Sequence, residues 1–397
     1  MVYLVNRIGE DRMADNDLDV LIMTDNNLDS VGGEQESTKI IINGIKDKYS
    51  IAIIQPGNIS NPVSNVVYYE LTKFTRIKHL VKRPISFIRY ILKAKNIINS
   101  RKPKIIHTQA QVSFLIVALL KKLRVINKVF LIHTERGLYT KYNKFFKWLF
   151  CFFMDETNIL VTTTEFNMKY WKMALKTKGV QLEYRVIENT AGKLFEEYDE
   201  LLKKRDDKTL AIGFAGRYAD WKNWPLAVEI SEKLNFILGN KLKVTMAVGS
   251  LDEKALEKTK KMFNLMKKKF GNRFDGKINI SLEEMDKFYY DIDIFILTSK
   301  YNTESFGRTL VEAMSRKNVV LTTDAGGSVE VVNNHNNVCR TADEFIERIM
   351  VFYMDKKKMN DEKERNLKRV SNVYSLDNNI TKHIKMYEDI YKNTNGR

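Results

Sequence analysis

The sequence predicts an α/β protein made of two doubly wound, Rossmann-like domains facing each other across a cleft. Three observations carry this. Short apolar runs alternate with helical patterns, the arrangement of parallel strands joined by right-handed crossovers. The alternation restarts after a polar, charged stretch, Glu196–Lys208. The 397 residues are enough for two domains with a core each.

The elements follow in order. Residues 1–18 are polar, lack a clear period and read as an extension. Val20–Thr24 is an apolar run of strand length, Asp25–Gly33 a turn, and Gln35–Ile45 a helical pattern. Further strands are expected at Tyr49–Gln55, Ile105–Thr108, Val129–His133, Ile159–Thr163 and Arg185–Ile187, with helical stretches between most of them. After the charged stretch come a strand over Leu210–Ala215 ending at Gly216, a helix over Trp224–Leu238, a strand over Val244–Gly249 and a helix over Lys254–Phe270. Ile292–Leu297 and Val319–Thr323 complete a second core, and Leu376–Tyr391 is a final helix. The expected division is 1–192, 193–375 and a closing helix within 376–397.

Composition narrows the class. The only cysteines are Cys151 and Cys339, so a reducing cytoplasm is expected rather than a disulfide framework. The first residues, MVYLVNRIGEDRM, lack the apolar region of a secretion signal, and no apolar run is long enough for a membrane-spanning helix. The net charge is +17, and residues 61–190 alone hold 24 Lys+Arg against 7 Asp+Glu. The rest of the chain is balanced, with 42 of each sign. Such asymmetry calls for an anionic partner. Residues 71–104 contain eleven Lys/Arg, no acid and an apolar stripe of Ile77, Leu80, Val81, Ile85, Ile88, Ile91 and Leu92. Residues 141–154 read KYNKFFKWLFCFFM. Both stretches fit an anionic membrane surface; the alternative is that their apolar faces pack inward.

The chemistry-bearing residues cluster in Asp293–Glu330. Glu304 and Glu312 stand eight positions apart around a strand-to-helix junction, with a strand at Ile294–Leu297 and a helix beginning near Gly307. Ligands of open α/β sheets bind at the carboxyl ends of strands, and free N–H groups at a helix start favour anions. An anion-binding turn between two carboxylates suits a ligand with phosphates at one end and hydroxyls at the other, a sugar nucleotide. Arg217 and Lys222 follow a strand end, where two cations would neutralise a diphosphate; a solvated basic loop is the plainer alternative. Gly32-Gly33 follows the first strand, either as a simple turn or to let the backbone approach a ligand. His133 ends a strand, placed to contact a ligand or to serve structure. Asp291 and Asp293 precede the strand whose far end leads to Glu304, the wrong end for a cleft metal, and no metal site is expected.

As an ordered set, from about Val20 to Val332, these motifs resemble the retaining glycosyltransferases of family four, with the GT-B fold. They are Gly32-Gly33, His133, Gly216-Arg217 with Lys222, Glu304-x7-Glu312, and Gly326-Gly327. The resemblance implies that Arg217 and Lys222 hold the donor diphosphate. Glu312 would accept from the ribose hydroxyls, and Glu304 would bind and orient the donor sugar. The backbone of Phe306 and Gly307, with the Thr309 hydroxyl, would support sugar and phosphate, while His133 would meet the sugar from the N-terminal domain. It also implies metal-independent transfer with retention, no cofactor, and a nucleotide-diphosphate donor, UDP-linked. The expected acceptor is a glycan or lipid-linked glycan of surface polysaccharide or teichoic-acid-like synthesis, at the inner face of the cell membrane. The chain departs from the family at Asn223, where glycine is common, at Arg316-Lys317-Asn318 in place of Gly-x-Pro, at Glu188 for proline, and at Thr134-Glu135 after His133. The alternatives are a protein-directed glycosyltransferase, a sugar-nucleotide epimerase or phosphorylase, and a basic nucleic-acid-binding protein. Nucleic acid is not the expected partner, because the aromatics of 141–154 fit an apolar face better than a strand-binding groove.

Overall fold

The computed structural model describes residues 18–30, 32–126, 128–203 and 208–395. The expected extension over 1–18 lies outside them, apart from the buried Leu18. The chain divides into two compact units, Met1–Ile187 with Ile380–Arg397, and Glu188–Asn379.

Unit 1 runs β1 (Val20–Met23), α1 (Gly33–Ile45), β2 (Ile51–Gln55), β3 (Val66–Glu70), α2 (Lys78–Val81), α3 (Pro84–Arg101), β4 (Ile105–Thr108), α4 (Gln111–Lys122), β5 (Phe130–Glu135), α5 (Lys144–Phe153), β6 (Ile159–Thr162), α6 (Glu165–Lys176) and β7 (Glu183–Val186). Its strands form one parallel sheet of order β3-β2-β1-β4-β5-β6-β7. The strand order reverses its progress between β1 and β4, with β1 paired to both neighbours: Val20 pairs with both Ile51 and Ile105. Strand side chains alternate between two cores, as the pleat requires. Leu21, Met23, Ile106, Leu131 and Leu160 pack under α3, α4, α5 and α6. Val20, Ile22, Ile105, Ile132 and Ile159 pack under α1 and under Met386, Tyr387 and Ile390 of the last helix.

Unit 2 runs β8 (Leu210–Arg217), α7 (Trp224–Leu238), β9 (Leu242–Gly249), α8 (Glu253–Phe270), β10 (Phe274–Ile278), α9 (Leu282–Tyr290), β11 (Ile294–Leu297), α10 (Arg308–Ser315), β12 (Val319–Thr322), α11 (Gly327–Val332), α12 (Ala342–Met354) and α13 (Lys356–Arg369). The last helix, α14, spans Leu376–Asn395. The sheet is parallel, of order β10-β9-β8-β11-β12, so its switch point lies between β8 and β11.

The expected strands are all present, with bounds moved by no more than two residues. Two strands, β3 and β10, were not expected. Both are sheet edges. β3 is only partly buried along its length, and β10, FDGKI, has apolar residues only at its ends. Neither carries the continuous apolar run that marks a buried strand.

Candidate active site

Unit 2 brings its predicted residues together at the C-terminal ends of β8 and β11, the two strands that flank its switch point. β8 ends at Gly216-Arg217 and the chain returns through Lys222 into α7. Asn223 takes left-handed backbone there (φ 51°), which explains the departure from glycine: asparagine is the next best residue in that region. A Cβ on Gly216 would come within 3.2 Å of Lys222 Cε, so the glycine lets the lysine fold back along the strand end. The two loops are tied together: Thr298 Oγ1 donates to Lys222 O at 2.9 Å and Lys300 N to Trp221 O at 2.8 Å.

Both glutamates are already gripped. Glu304 Oε1 accepts from Lys222 Nζ at 2.8 Å and from Ser299 Oγ at 2.6 Å. Its backbone is stitched to the Gly326-Gly327 loop, Glu304 N donating to Ala325 O and Gly327 N to Glu304 O. A Cβ on Gly327 would lie 2.1 Å from Ser305 O, so only glycine fits against that loop. Gly307 (φ 100°) makes the left-handed turn that starts α10. Glu312, in the second turn of α10, is buried. Its Oε2 accepts from Tyr289 OH at 2.8 Å, and its Oε1 lies 3.3 Å from Arg308 Nε. Burial pushes its carboxyl up, against the pull of Arg308 and the tyrosine hydroxyl. Arg308 is itself placed by donation from Nη2 to Ala191 O at 2.8 Å. Thr309 is half-buried on α10, Phe306 packs its ring against Tyr374, and Arg217 is exposed beside the Trp221 ring.

Three residues that hold this arrangement were not foreseen. Arg308 had a signal, its i,i+4 spacing to Glu312 on one helix. Ser299 and Tyr289 had none, because only the fold brings them to the glutamates. A second departure, asparagine in the proline position, has its own reason: Asn318 N donates to Ala313 O, a bond proline could not make, and its Nδ2 donates to Tyr289 O and Ala313 O inside the core. At the opposite end of β11, Asp293 is engaged by Lys363 Nζ at 2.7 Å and by Ala211 N at 3.2 Å, serving the fold.

Unit 1 has its own polar cluster at the matching strand ends. Asp25, after β1, accepts from the N–H groups of Val112 and Ser113 and from Ser113 Oγ, so it caps α4 from outside the helix. Glu34, in the first turn of α1, accepts from Asn26 Nδ2 at 2.7 Å. Burial, then the Asp25 carboxylate, push its carboxyl up to about 7, against Arg136 and Asn26. Gln109, after β4, is almost fully buried, yet neither of its amide atoms has a hydrogen-bond partner; nor does Glu34 Oε1. Gly32 and Gly33 are exposed at the start of α1. A Cβ on Gly32 would meet only the movable end of the Gln35 side chain and one on Gly33 would meet nothing, so neither position requires glycine for room. His133 is fully buried, stacked on Phe114 and in contact with Thr108 Oγ1 at 3.0 Å and Glu135 Oε2 at 3.5 Å. Glu34 and Gln109 were not among the predicted site residues; burial without a partner is visible only in the fold.

Residues 196–369 match the model of the family described as glycosyl transferases group 1. The match lies within unit 2. No curated protein matches the chain. Solved structures that resemble it give the GT-B fold for the whole. Sucrose-phosphate synthase from Thermosynechococcus elongatus superposes with a TM-score of 0.76 at 12% identity, covering 94% of this chain and 99% of that one. α,α-Trehalose 6-phosphate synthase from Burkholderia multivorans gives 0.72 at 9% identity, with 96% and 98% covered. Anabaena HepE in complex with UDP gives 0.69 at 14% identity, with 94% and 100% covered. The matched stretch thus holds Arg217, Lys222, Glu304, Phe306, Gly307, Thr309 and Glu312, whereas Gly32, Gly33 and His133 belong to unit 1.

Proposed function

We propose that this glycosyltransferase moves a hexose or N-acetylhexosamine from a UDP-sugar to a glycan or lipid-linked acceptor, with retention and without a metal, in surface polysaccharide or teichoic-acid-like synthesis at an anionic membrane surface. One observation carries the donor side. Glu304, Lys222 and Ser299 meet at the strand ends beside the switch point, a carboxylate for sugar hydroxyls next to a cation for phosphate. The HepE structures that hold UDP and UDP-glucose support a UDP-linked donor here.

In this reading the C1–phosphate bond breaks and the acceptor oxygen bonds to C1 on the same face. The acceptor proton passes to the leaving phosphate. Lys222 and Arg217 stabilise the negative charge that grows on the diphosphate, and Glu304 fixes the sugar by its hydroxyls. Glu312, preset by Tyr289 and Arg308, takes the ribose. On the acceptor side, Gln109 and Glu34 supply the unsatisfied polar atoms that a hydroxyl would meet. His133 acts from inside, holding Thr108 and Glu135.

The test is a panel of UDP-glucose, UDP-galactose and UDP-N-acetylglucosamine, with GDP-mannose as control, read by thermal shift and by slow donor hydrolysis. At least one UDP-sugar should raise Tm and release UDP. Silence across the panel would overturn the reading. NMR of the released sugar's anomeric proton tests retention.

A further inference from the structure

Unit 1 leaves two strips of large apolar side chains in solvent. On α5, Phe145 (61% exposed), Trp148 (53%) and Phe152 recur at i, i+3 and i+7, so they share one side of the helix. Their rings run in series: the Phe145 and Trp148 centroids are 6.1 Å apart, and Trp148 stacks on Phe152 at 5.7 Å. On α3, Ile85 (70% exposed), Ile88 and Leu92 repeat the same spacing. The inner sides of the two helices, Tyr90, Ala94 and Ile98 of α3 and Phe150 and Cys151 of α5, join one core on one side of the sheet. Both strips therefore emerge from the same helical layer. The sequence left open whether these apolar faces pack inward; the fold sends part of each outward.

The charge around the strips is mostly positive. Arg83, Arg89 and Lys93 are exposed along α3, and Lys141 and Lys144 lead into α5. Lys122 Nζ sits 4.6 Å above the Phe152 ring, and the nearby Asp155 and Glu156 are both paired with it. A second copy of this layer would bring like charges together, which opposes self-association. Aromatic rings stacked on one another, beside an aliphatic strip, offer little for nucleobases to stack on. Exposed rings and aliphatic side chains ringed by cations are matched by the acyl–headgroup boundary of an anionic bilayer.

We propose that this layer seats unit 1 on an anionic membrane, the α5 ring ridge and the α3 aliphatic strip entering the headgroup region while the flanking cations meet lipid phosphates. The inference rests on the membrane part of the function proposed above and is independent of the donor chemistry. Among the described residues no helix is long and apolar enough to cross a membrane, so the contact is a surface one.

The full chain is sedimented with vesicles of phosphatidylglycerol and phosphatidylcholine in equal parts, and with phosphatidylcholine alone. It should co-sediment with the anionic vesicles, shift Trp148 emission to the blue, and lose roughly tenfold in partition when salt is raised from about 0.1 M to about 0.5 M. The Phe145→Ser/Trp148→Ser/Phe152→Ser variant should partition at least ~10-fold more weakly at unchanged Tm. The Arg89→Glu/Lys93→Glu variant should do likewise without touching a ring. Equal binding to both vesicle types, or unchanged partition in both variants, overturns the proposal. So does a dimer that the ring variant dissolves in the absence of vesicle binding, or binding to RNA alone in a gel shift. Donor hydrolysis, measured on the same samples without vesicles, stays intact whichever result is obtained, unless the donor reading itself is wrong.

Discussion

The switch points of the two sheets are built alike and finished differently. In unit 2, β8 and β11 deliver a lysine and a glutamate that already satisfy each other, with Ser299 as a third partner. In unit 1, β1 and β4 deliver Asp25, fully spent on capping α4, and Gln109, whose amide has no partner. A satisfied pair in a partly dry site is preorganised: its groups need not move when charge develops. An unsatisfied buried amide costs about 1–3 kcal/mol unless something meets it. The difference teaches that the polar groups at the unit 2 strand ends are satisfied within the chain, whereas those at the unit 1 strand ends are satisfied only in part.

The sharpest way to break this comparison is at Glu304 and Lys222. Glu304→Gln and Lys222→Ala should each lower turnover about 10²–10³-fold, the cost of losing one preorganised electrostatic contact. Release of UDP with the best donor of the panel measures it. With both side chains only 14% exposed, each substitution should also lower Tm, so turnover is compared at a temperature where both variants stay folded. Near-normal turnover in either variant would mean that the satisfied pair is only structural.

A smaller effect tests the acid in unit 1. Glu34 faces Asp25 and Asn26 from the β1 loop and Arg136 from the loop after β5, and its folded carboxyl is pushed up to about 7. A raised acid means that the folded state binds the proton more tightly than the unfolded chain. Stability therefore falls as pH rises from the ordinary carboxyl range through about 7, by on the order of 2 kcal/mol from this group. Glu34→Gln should remove that part of the slope, seen in urea unfolding at pH 5 and pH 8. An unchanged slope would show that Glu34 titrates normally.

The smallest effect sharpens the acceptor side. Gln109→Met keeps the volume and removes the amide. It should weaken transfer to acceptor about tenfold while leaving donor hydrolysis unchanged. Octyl glucoside and octyl N-acetylglucosaminide serve as acceptor probes. Equal loss in both reactions would instead assign Gln109 to packing.

Much of this was legible beforehand, for local reasons. A buried parallel strand must be a short apolar run, so β1, β4, β6, β8 and β11 announced themselves. β3 and β10, half-exposed at the edges, did not. Glu304 and Lys222 could be placed at strand ends because a strand and a helix bracket each of them, and Glu312 in the helix that follows. Asn223, in contrast, looked like a departure and proved to be a left-handed position that glycine commonly fills. His133 was legible as a strand end, but not as a ring wholly covered by Phe114 and its neighbours.

The sequence by itself determined the two α/β units, the polarity of each strand, and which strand ends carry acids and cations, because all of these follow from periodicity and spacing along one segment. Tertiary structure alone decided which groups are satisfied. Tyr289 reaches Glu312, Ser299 reaches Glu304, the Gln109 side-chain amide is left without a partner, and α3 and α5 turn part of their apolar residues to solvent. Hydrogen bonding and burial depend on neighbours distant in the chain, and only the packed sheet and its helical layers choose those.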